Sequence, residues 1–217
     1  MSNERAGRAV VFAGGNLGSW ALERLEPDDC LIGADRGSVF LVQSGLRPDL
    51  ALGDFDSTRP EELEAVRSQA AELRMCDPVD KDWTDTELAF REAIRRGFRR
   101  IAVVGGLGTR FDHSLANVHL LRQAADAGCD ACLLDEHNEI RLCTESLRLR
   151  ASERFPYVSL LPLTPTVTGV TLSGFRYPLR NATLTLGWSL GVSNALEAAE
   201  GVVTIAEGLL LVIRSRD

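Results

Sequence analysis

Short apolar runs that each close on Gly or Asp recur through the first 135 residues: AVVFAG (9–14), CLIGAD (30–35), DLALGD (49–54), RIAVVGG (100–106) and ACLLD (131–135). ELRMCD (72–77) is a weaker member of the series. Runs that are apolar at nearly every position, rather than at alternate ones, suit strands buried on both faces. Between them, PEELEAVRSQAAEL (60–73), TDTELAFREAIRRG (84–97) and DHSLANVHLLRQAADAG (112–128) carry the spacing of amphipathic helices. Such strands alternating with helices predict a parallel sheet with helices on both faces.

Near residue 138 the pattern changes to short strands separated by Gly and Pro turns, with no convincing helix. The clearest is 182–193, ATLTLGWSLGVS. Ala182, Leu184, Leu186, Trp188, Leu190 and Val192 share one face, and small or polar residues share the other. Period-2 alternation predicts one long strand with Trp188 in the core and Ser193 on the polar face. The expected architecture is therefore an α/β nucleotide domain over 1–137 and an all-β sandwich over 138–217.

In a parallel sheet, ligands bind beyond the carboxyl ends of the strands, and the unusual residues fall there. Asp35-Arg36-Gly37 follows one strand, GDFDS (53–57) the next, and GGLGTRFDH (105–113) a later one. Asp54 and Asp56 have three readings. They are turn residues, with Asp56 or Ser57 capping the helix that Pro60 opens; or two carboxylates sharing a hard cation such as Mg²⁺ or Mn²⁺; or the DxDxT nucleophile of a haloacid-dehalogenase-type phosphatase. In DPVDKDWTDTELAF (77–90), Asp77, Asp80, Asp82 and Asp85 surround Lys81, the one lysine among 24 basic residues. Thr84-x-x-Glu87 is a capping box, which leaves the acids before it unexplained and points to a metal-phosphate loop. The backbone N–H groups of Gly105 and Gly106 and the Arg110 guanidinium suit phosphate. No GK[ST] follows, so this is not a Walker A loop. His113 beside Asp112 can face such a site, whereas His119 is expected to pack.

The net charge of −7 argues against a nucleic-acid partner. The N-terminus has no apolar signal segment, and no run approaches the ~20 residues of a membrane span. Five scattered cysteines fit reduced thiols in a soluble, cytoplasmic protein. Cys129-x-x-Cys132 lacks two further ligands at a zinc spacing and reads as buried thiols.

ADRG, GDFDS, DKDWTDTELA and GGLGTRFDHSLANV, in that order and followed by GFRYPL and SN, resemble the thiamine pyrophosphokinase (thiamine diphosphokinase) family over nearly the whole chain. The resemblance implies a homodimer with its site at the subunit interface. It also implies transfer of a pyrophosphoryl group from ATP to the thiamine hydroxyl with Mg²⁺, giving thiamine diphosphate and AMP. By match, Asp54, Asp56 and Asp85 are metal and catalytic carboxylates. A nearby carboxylate is expected to take the hydroxyl proton, and the sequence does not choose between Asp82 and Asp85. Asp35, Lys81, Gly105, Gly106, Arg110, Asp112 and His113 belong to the ATP site. Tyr177, Ser193 and Asn194 belong to the thiamine site. The chain departs from the family pattern at Arg36, where a second glycine is common. A phosphatase expects its DxD after the first strand, not the third. A non-catalytic nucleotide-binding module leaves the acidic loop unexplained.

Overall fold

The apolar runs of the first half become the strands of a parallel sheet. The computed structural model describes residues 5–76 and 82–217, and the chain divides into two units, 1–136 and 137–217. In chain order the first unit contains β1 (Arg5–Phe12), α1 (Ser19–Leu22), β2 (Cys30–Ala34), α2 (Arg36–Gln43), β3 (Leu50–Gly53) and α3 (Pro60–Gln69). There follow β4 (Leu73–Met75), α4 (Asp85–Arg95), β5 (Phe98–Val104), α5 (Phe111–Asp126) and β6 (Asp130–Leu134). The strands lie in the order β6-β5-β1-β2-β3-β4, every neighbouring pair parallel.

Phe12, Ile32, Leu50, Leu52, Ile101 and Leu133 on these strands are fully buried. Helix α4 packs on β1, β2, β3, β5 and α5, while α2 packs on α3, β1 and β2. From β1 the chain winds one way through β2, β3 and β4, then returns to the other side for β5 and β6. The loops after β1 and β5 therefore diverge, opening a crevice at the carboxyl end of the sheet. Helices α1 and α2 gave no clear periodic signal, because α1 is a single turn and α2 is short and buries Gly37, Ser38, Val39 and Leu41 on successive positions and a neighbouring turn.

Local capping follows the sequence in part. Thr84 Oγ1 accepts the Glu87 N–H at 3.2 Å, as the capping-box spacing requires. The cap of α3 is Arg59, not Asp56 or Ser57. The Glu62 carboxylate accepts the Arg59 N–H at 3.2 Å and its guanidinium at 2.6 Å, which leaves the DFD turn out of the capping. Cys129 and Cys132 are buried thiols, as expected.

The second unit contains β7 (Asn138–Cys143), β8 (Ser146–Arg150), β9 (Tyr157–Pro162), β10 (Thr166–Ser173), β11 (Ala182–Thr185), β12 (Asn194–Ala195), β13 (Glu200–Thr204) and β14 (Leu210–Ser215). Antiparallel pairing gives the orders β12-β9-β14-β7 and β11-β10-β13-β8. Val158, Leu160, Leu210 and Val212 from the first set meet Leu149, Val167, Leu172, Leu184 and Val203 from the second in one core. This is the sandwich-like, antiparallel part expected from the sequence.

The long strand expected over 182–193 does not form. Strand β11 stops at Thr185, and turns follow, closed by Trp188 N–H to Thr185 O at 3.1 Å and Val192 N–H to Ser189 O at 3.0 Å. Two glycines cause this. Gly187 has φ +89°, which breaks the pleat. Gly191 lies against β9, where a Cβ would stand 2.5 Å from the Leu160 carbonyl oxygen. Trp188 is consequently 74% exposed rather than core, and Leu186, Leu190 and Val192 are exposed with it.

Candidate active site

The crevice between the β1 and β5 loops is a cleft of about 300 Å³ in the first unit. Gly14 and Gly15 form one wall, and Gly105, Gly106 and Gly108 another. Asp35 enters from the end of β2, Asp85 from the first turn of α4, and Arg110 and His113 from the start of α5. The structure thus brings together Asp35, Asp85, Gly105, Gly106, Arg110 and His113 from the segments that follow three separate strands, β2, β4 and β5.

The glycine-rich turn is held from behind. Gly15 N–H donates to Gly105 O at 3.1 Å. Buried Asn117 donates from Nδ2 to Gly106 O at 2.7 Å, and the Gly108 N–H donates to Ser114 Oγ at 3.0 Å. Ser114 and Asn117 lie three apart on the inner face of α5, and sequence reasoning passed over them. Their signal is a pair of polar residues on the side of a helix that should be apolar. Gly14 and Gly15 were also missed, because the GG after the first apolar run looks like an ordinary turn.

Arg110 stands in solvent with Asp112, its Nη2 2.6 Å from Oδ2. An exposed pair of this kind is worth little, so the guanidinium can exchange its carboxylate for a phosphate. His119, expected to pack, is exposed, because at 3.6 residues per turn it falls on the side of α5 opposite the buried Ser114, Asn117 and Leu121.

The carboxylates gather at the ends of β2 and β3. Asp35 takes φ +47°, and Phe55, between Asp54 and Asp56, takes φ +55°. Both are rare for residues with a side chain, and such strain collects at functional sites. Asp35 Oδ2 accepts the Ser57 hydroxyl at 3.3 Å, which ties the two turns together. Asp35 Oδ1 is buried with no hydrogen-bond partner. Burial pushes the Asp35 carboxyl above the usual carboxylate range, and the charges of Asp54 and Asp56 push it the same way. Asp54 Oδ1 accepts the Asp56 N–H at 3.1 Å, folding the DFD turn onto itself. Asp82 is exposed. Lys81, with Asp77 and Asp80, lies outside the described residues.

An acceptor-rich group with an unsatisfied buried oxygen suits a hard cation. No three His, Cys, Asp or Glu side chains among the described residues form a metal-holding group by themselves. Mg²⁺ does not demand one, since it keeps water and phosphate oxygens and takes one or two carboxylates from protein.

In the second unit, Tyr177, Ser193 and Asn194 are neighbours. The Asn194 side chain is buried. Its Oδ1 accepts the Tyr177 N–H at 3.1 Å and its Nδ2 donates to Tyr177 O at 2.8 Å. Asn194 thereby holds the Tyr177 backbone, and the Tyr177 side chain is exposed. Ser193 is exposed at φ +61°, with its N–H donating to Ser159 Oγ at 3.1 Å.

Residues 22–133 match the family model described as "Thiamin pyrophosphokinase, catalytic domain", and residues 144–210 match "Thiamin pyrophosphokinase, vitamin B1 binding domain". The chain is 35% identical over 187 residues to a thiamine pyrophosphokinase of Bacillus subtilis, covering 86% of this chain and 87% of that one. The crystal structure of thiamine pyrophosphokinase from Bacillus subtilis superposes with a TM-score of 0.90 at 31% identity, covering 97% of this chain and all of that one. The thiamin pyrophosphokinase of Geobacillus thermodenitrificans gives 0.87 at 32%, covering 97% and 98%.

Proposed function

The chain belongs to the thiamine pyrophosphokinase family, and on that premise we propose how its residues divide the work of the reaction. The activity is that of a thiamine diphosphokinase, an ATP-dependent pyrophosphotransferase. The thiamine hydroxyl oxygen bonds to the β-phosphorus of ATP. The bond from that phosphorus to the oxygen bridging the α-phosphate breaks, so AMP leaves with the bridging oxygen and thiamine diphosphate remains. The observation that supports the site assignment is the rim of the first unit, where a glycine-lined cleft, an exposed guanidinium and the acids Asp35 and Asp85 converge.

The cleft takes the nucleotide. Backbone N–H groups around Gly105 and Gly106 and the Arg110 side chain bind phosphate oxygens, with Asp35, Asp112, His113 and Lys81 completing the ATP site. One or two of the carboxylates Asp54, Asp56 and Asp85 would hold Mg²⁺, which when bound neutralises the polyphosphate and aligns it for in-line attack. Asp85 takes the hydroxyl proton. It lines the cleft, whereas Asp82, the other acid considered for that role, stands in solvent. An acidic rim also favours the thiazolium cation.

Residues 138–217 bind thiamine, with Tyr177 against the ring, Ser193 beside it and Asn194 holding the Tyr177 backbone. The enzyme is a homodimer with its site at the subunit interface. Supporting this, Leu186, Trp188 and Leu190 are each at least 60% exposed, an arrangement that favours a partner surface. The reading places the protein in the cytoplasm, where its cysteines stay reduced. Among the described residues, no helix is long and apolar enough to cross a membrane.

Incubation with ATP, Mg²⁺ and thiamine tests the function. Thiamine diphosphate and AMP should form one to one, with γ-phosphate label retained in the thiamine product. ADP with free phosphate, or label trapped on Asp54, would return the chain to the phosphatase reading.

A further inference from the structure

A second cleft, of about 520 Å³, shares Gly14 and Gly15 with the nucleotide cleft and opens on the side of α2 and α3. Arg36 from the first turn of α2 lines it, as do Ser57, Thr58 and Arg59 from the segment after the DFD turn. Its two guanidinium groups are not equivalent. Arg59 is committed to Glu62 at 2.6 Å and stands 3.7 Å from Glu61. Arg36 makes no side-chain hydrogen bond or ion pair among the described residues. Since Glu62 lines the same cleft and offsets Arg59, one positive charge is left uncompensated there. One buried donor is left unmatched as well, because Thr58 Oγ1 is buried without a hydrogen-bond partner. Such an atom costs free energy unless a ligand satisfies it.

Both features flank the carboxylates directly. Arg36 follows Asp35, and Thr58 lies two residues beyond Asp56. The hydrogen bond between Ser57 Oγ and Asp35 Oδ2 joins the two segments at 3.3 Å. A group held here must therefore suit a guanidinium and a hydroxyl donor while sitting beside the acidic rim. A terminal phosphate does so: its oxygens accept a forked pair of N–H bonds and the hydroxyl, and the polyphosphate that carries it spans the rim.

We propose that Arg36, assisted by Thr58, binds the terminal phosphate of the transferred pyrophosphoryl group, which is the γ-phosphate of ATP before transfer and the end phosphate of thiamine diphosphate after it. This rests on the reaction assigned above. Attack occurs at the β-phosphorus, so Arg36 is a binding residue one phosphate removed from the reacting atoms. By fixing the γ-phosphate it presents the β-phosphorus to the acceptor and favours triphosphate donors.

The test measures binding by calorimetry with Mg²⁺ for the wild type, Arg36→Ala and Arg36→Lys, using ATP, AMP and thiamine diphosphate as probes. A charge-assisted bond of this kind corresponds to a loss of about tenfold to a hundredfold in affinity. Arg36→Ala should lose that much for both ATP and thiamine diphosphate, and AMP should stay within about twofold. Arg36→Lys should fall between, keeping charge without the fork. Thr58→Val should repeat the pattern more weakly, and it serves if Arg36→Ala does not fold. An equal loss for AMP would move Arg36 to the α-phosphate or the base and overturn the proposal, as would unchanged ATP affinity. A wild type that makes no thiamine diphosphate would sink the assigned reaction. A wild type that turns over normally, beside an Arg36→Ala chain with full ATP affinity, would sink only the Arg36 assignment.

Discussion

Asp35 and Trp188 each stand just past the end of a strand, β2 in the first unit and β11 in the second. Asp35 has a buried oxygen without a partner, while Trp188 is 74% exposed. Each inverts what solvation favours, since acids seek water and indoles avoid it. The supports differ too. The acid is fixed by a strained backbone over a parallel sheet whose β3 strand is wholly buried and whose β1, β2 and β5 strands are buried toward their carboxyl ends, with Asp35 and Phe55 at positive φ. The indole sits on turns made possible by Gly187 and Gly191. Under the proposed function the first region meets cations and phosphate and the second an apolar surface. Neither arrangement stabilises the unit that carries it, so both are expected to tolerate substitution in stability while failing in function.

The largest expected effect breaks the comparison on the acidic side. Asp54→Asn should lower turnover by about 10²–10⁴-fold, the equivalent of several kcal/mol of charge stabilisation at the phosphates. The thermal midpoint should hold within a few degrees, because the carboxylate is only half-buried. Steady-state kinetics and a thermal melt on one preparation check both halves. Near-normal turnover would return Asp54 to the role of a turn residue.

Glu92 sharpens the comparison from within the first unit, being a buried acid that is fully partnered. It receives Arg95 at 2.6 Å, Arg96 at 2.8 Å and Arg74 at 3.2 Å. The hydrogen bond from Arg95 is the largest influence holding its carboxyl down at about 2, against the ordinary 4.5. A carboxyl depressed on folding contributes stability above the ordinary value and loses it as pH falls toward the folded one. Glu92→Gln should cost about 2–3 kcal/mol at pH 7. That is less than the loss of a fully buried partner, because Arg74 and Arg95 reach solvent. The difference from wild type should shrink between pH 4.5 and 2. Urea unfolding at several pH values measures it, and a gap that stays constant down to pH 2 would remove Glu92 from the account.

What was legible in the sequence follows the same division. The parallel sheet, α3, α4, α5 and the acidic and glycine-rich strand ends were readable because unbroken apolar runs and helical spacing each admit few structures. Helices α1 and α2 were too short to show a period. Ser114 and Asn117 act through the Gly106–Gly108 turn, and Asn194 through the Tyr177 backbone. The polar pair on the buried side of α5 is the only trace the first two leave, and Asn194 is marked by the SN match alone, because no pattern along the chain names the backbone that such a side chain serves. The stretch 182–193 misled because alternation counts a glycine as a small residue and ignores its φ.

On the apolar side, Tyr177→Ala should weaken thiamine binding by about fivefold, the loss of ~1 kcal/mol of ring contact. ATP affinity should be unchanged, since the cleft proposed for the nucleotide is lined entirely by the first unit. Titrating each ligand separately checks this. Equal losses would mean that Tyr177 packs rather than binds.

The smallest expected effect is the one that separates the two readings of 182–193. If alternation were right and Trp188 lay in the core, Trp188→Ala would cost about 3–5 kcal/mol through lost burial and the cavity left behind. With the indole 74% exposed on a turn, the substitution removes almost no packing within the chain, and the expected loss is within about 0.5 kcal/mol. Urea unfolding at low protein concentration, where any self-association is diluted out, measures that intrinsic value. Repeating it at high concentration then tests the partner surface, because an assembly that covers Trp188 stabilises the wild type by mass action and the variant less. The gap between the two chains should therefore open with concentration. A gap already of several kcal/mol in the dilute sample would restore Trp188 to the core. A gap that stays small at every concentration would leave the tryptophan exposed in the assembled protein too, and would move the subunit contact away from residues 186–192.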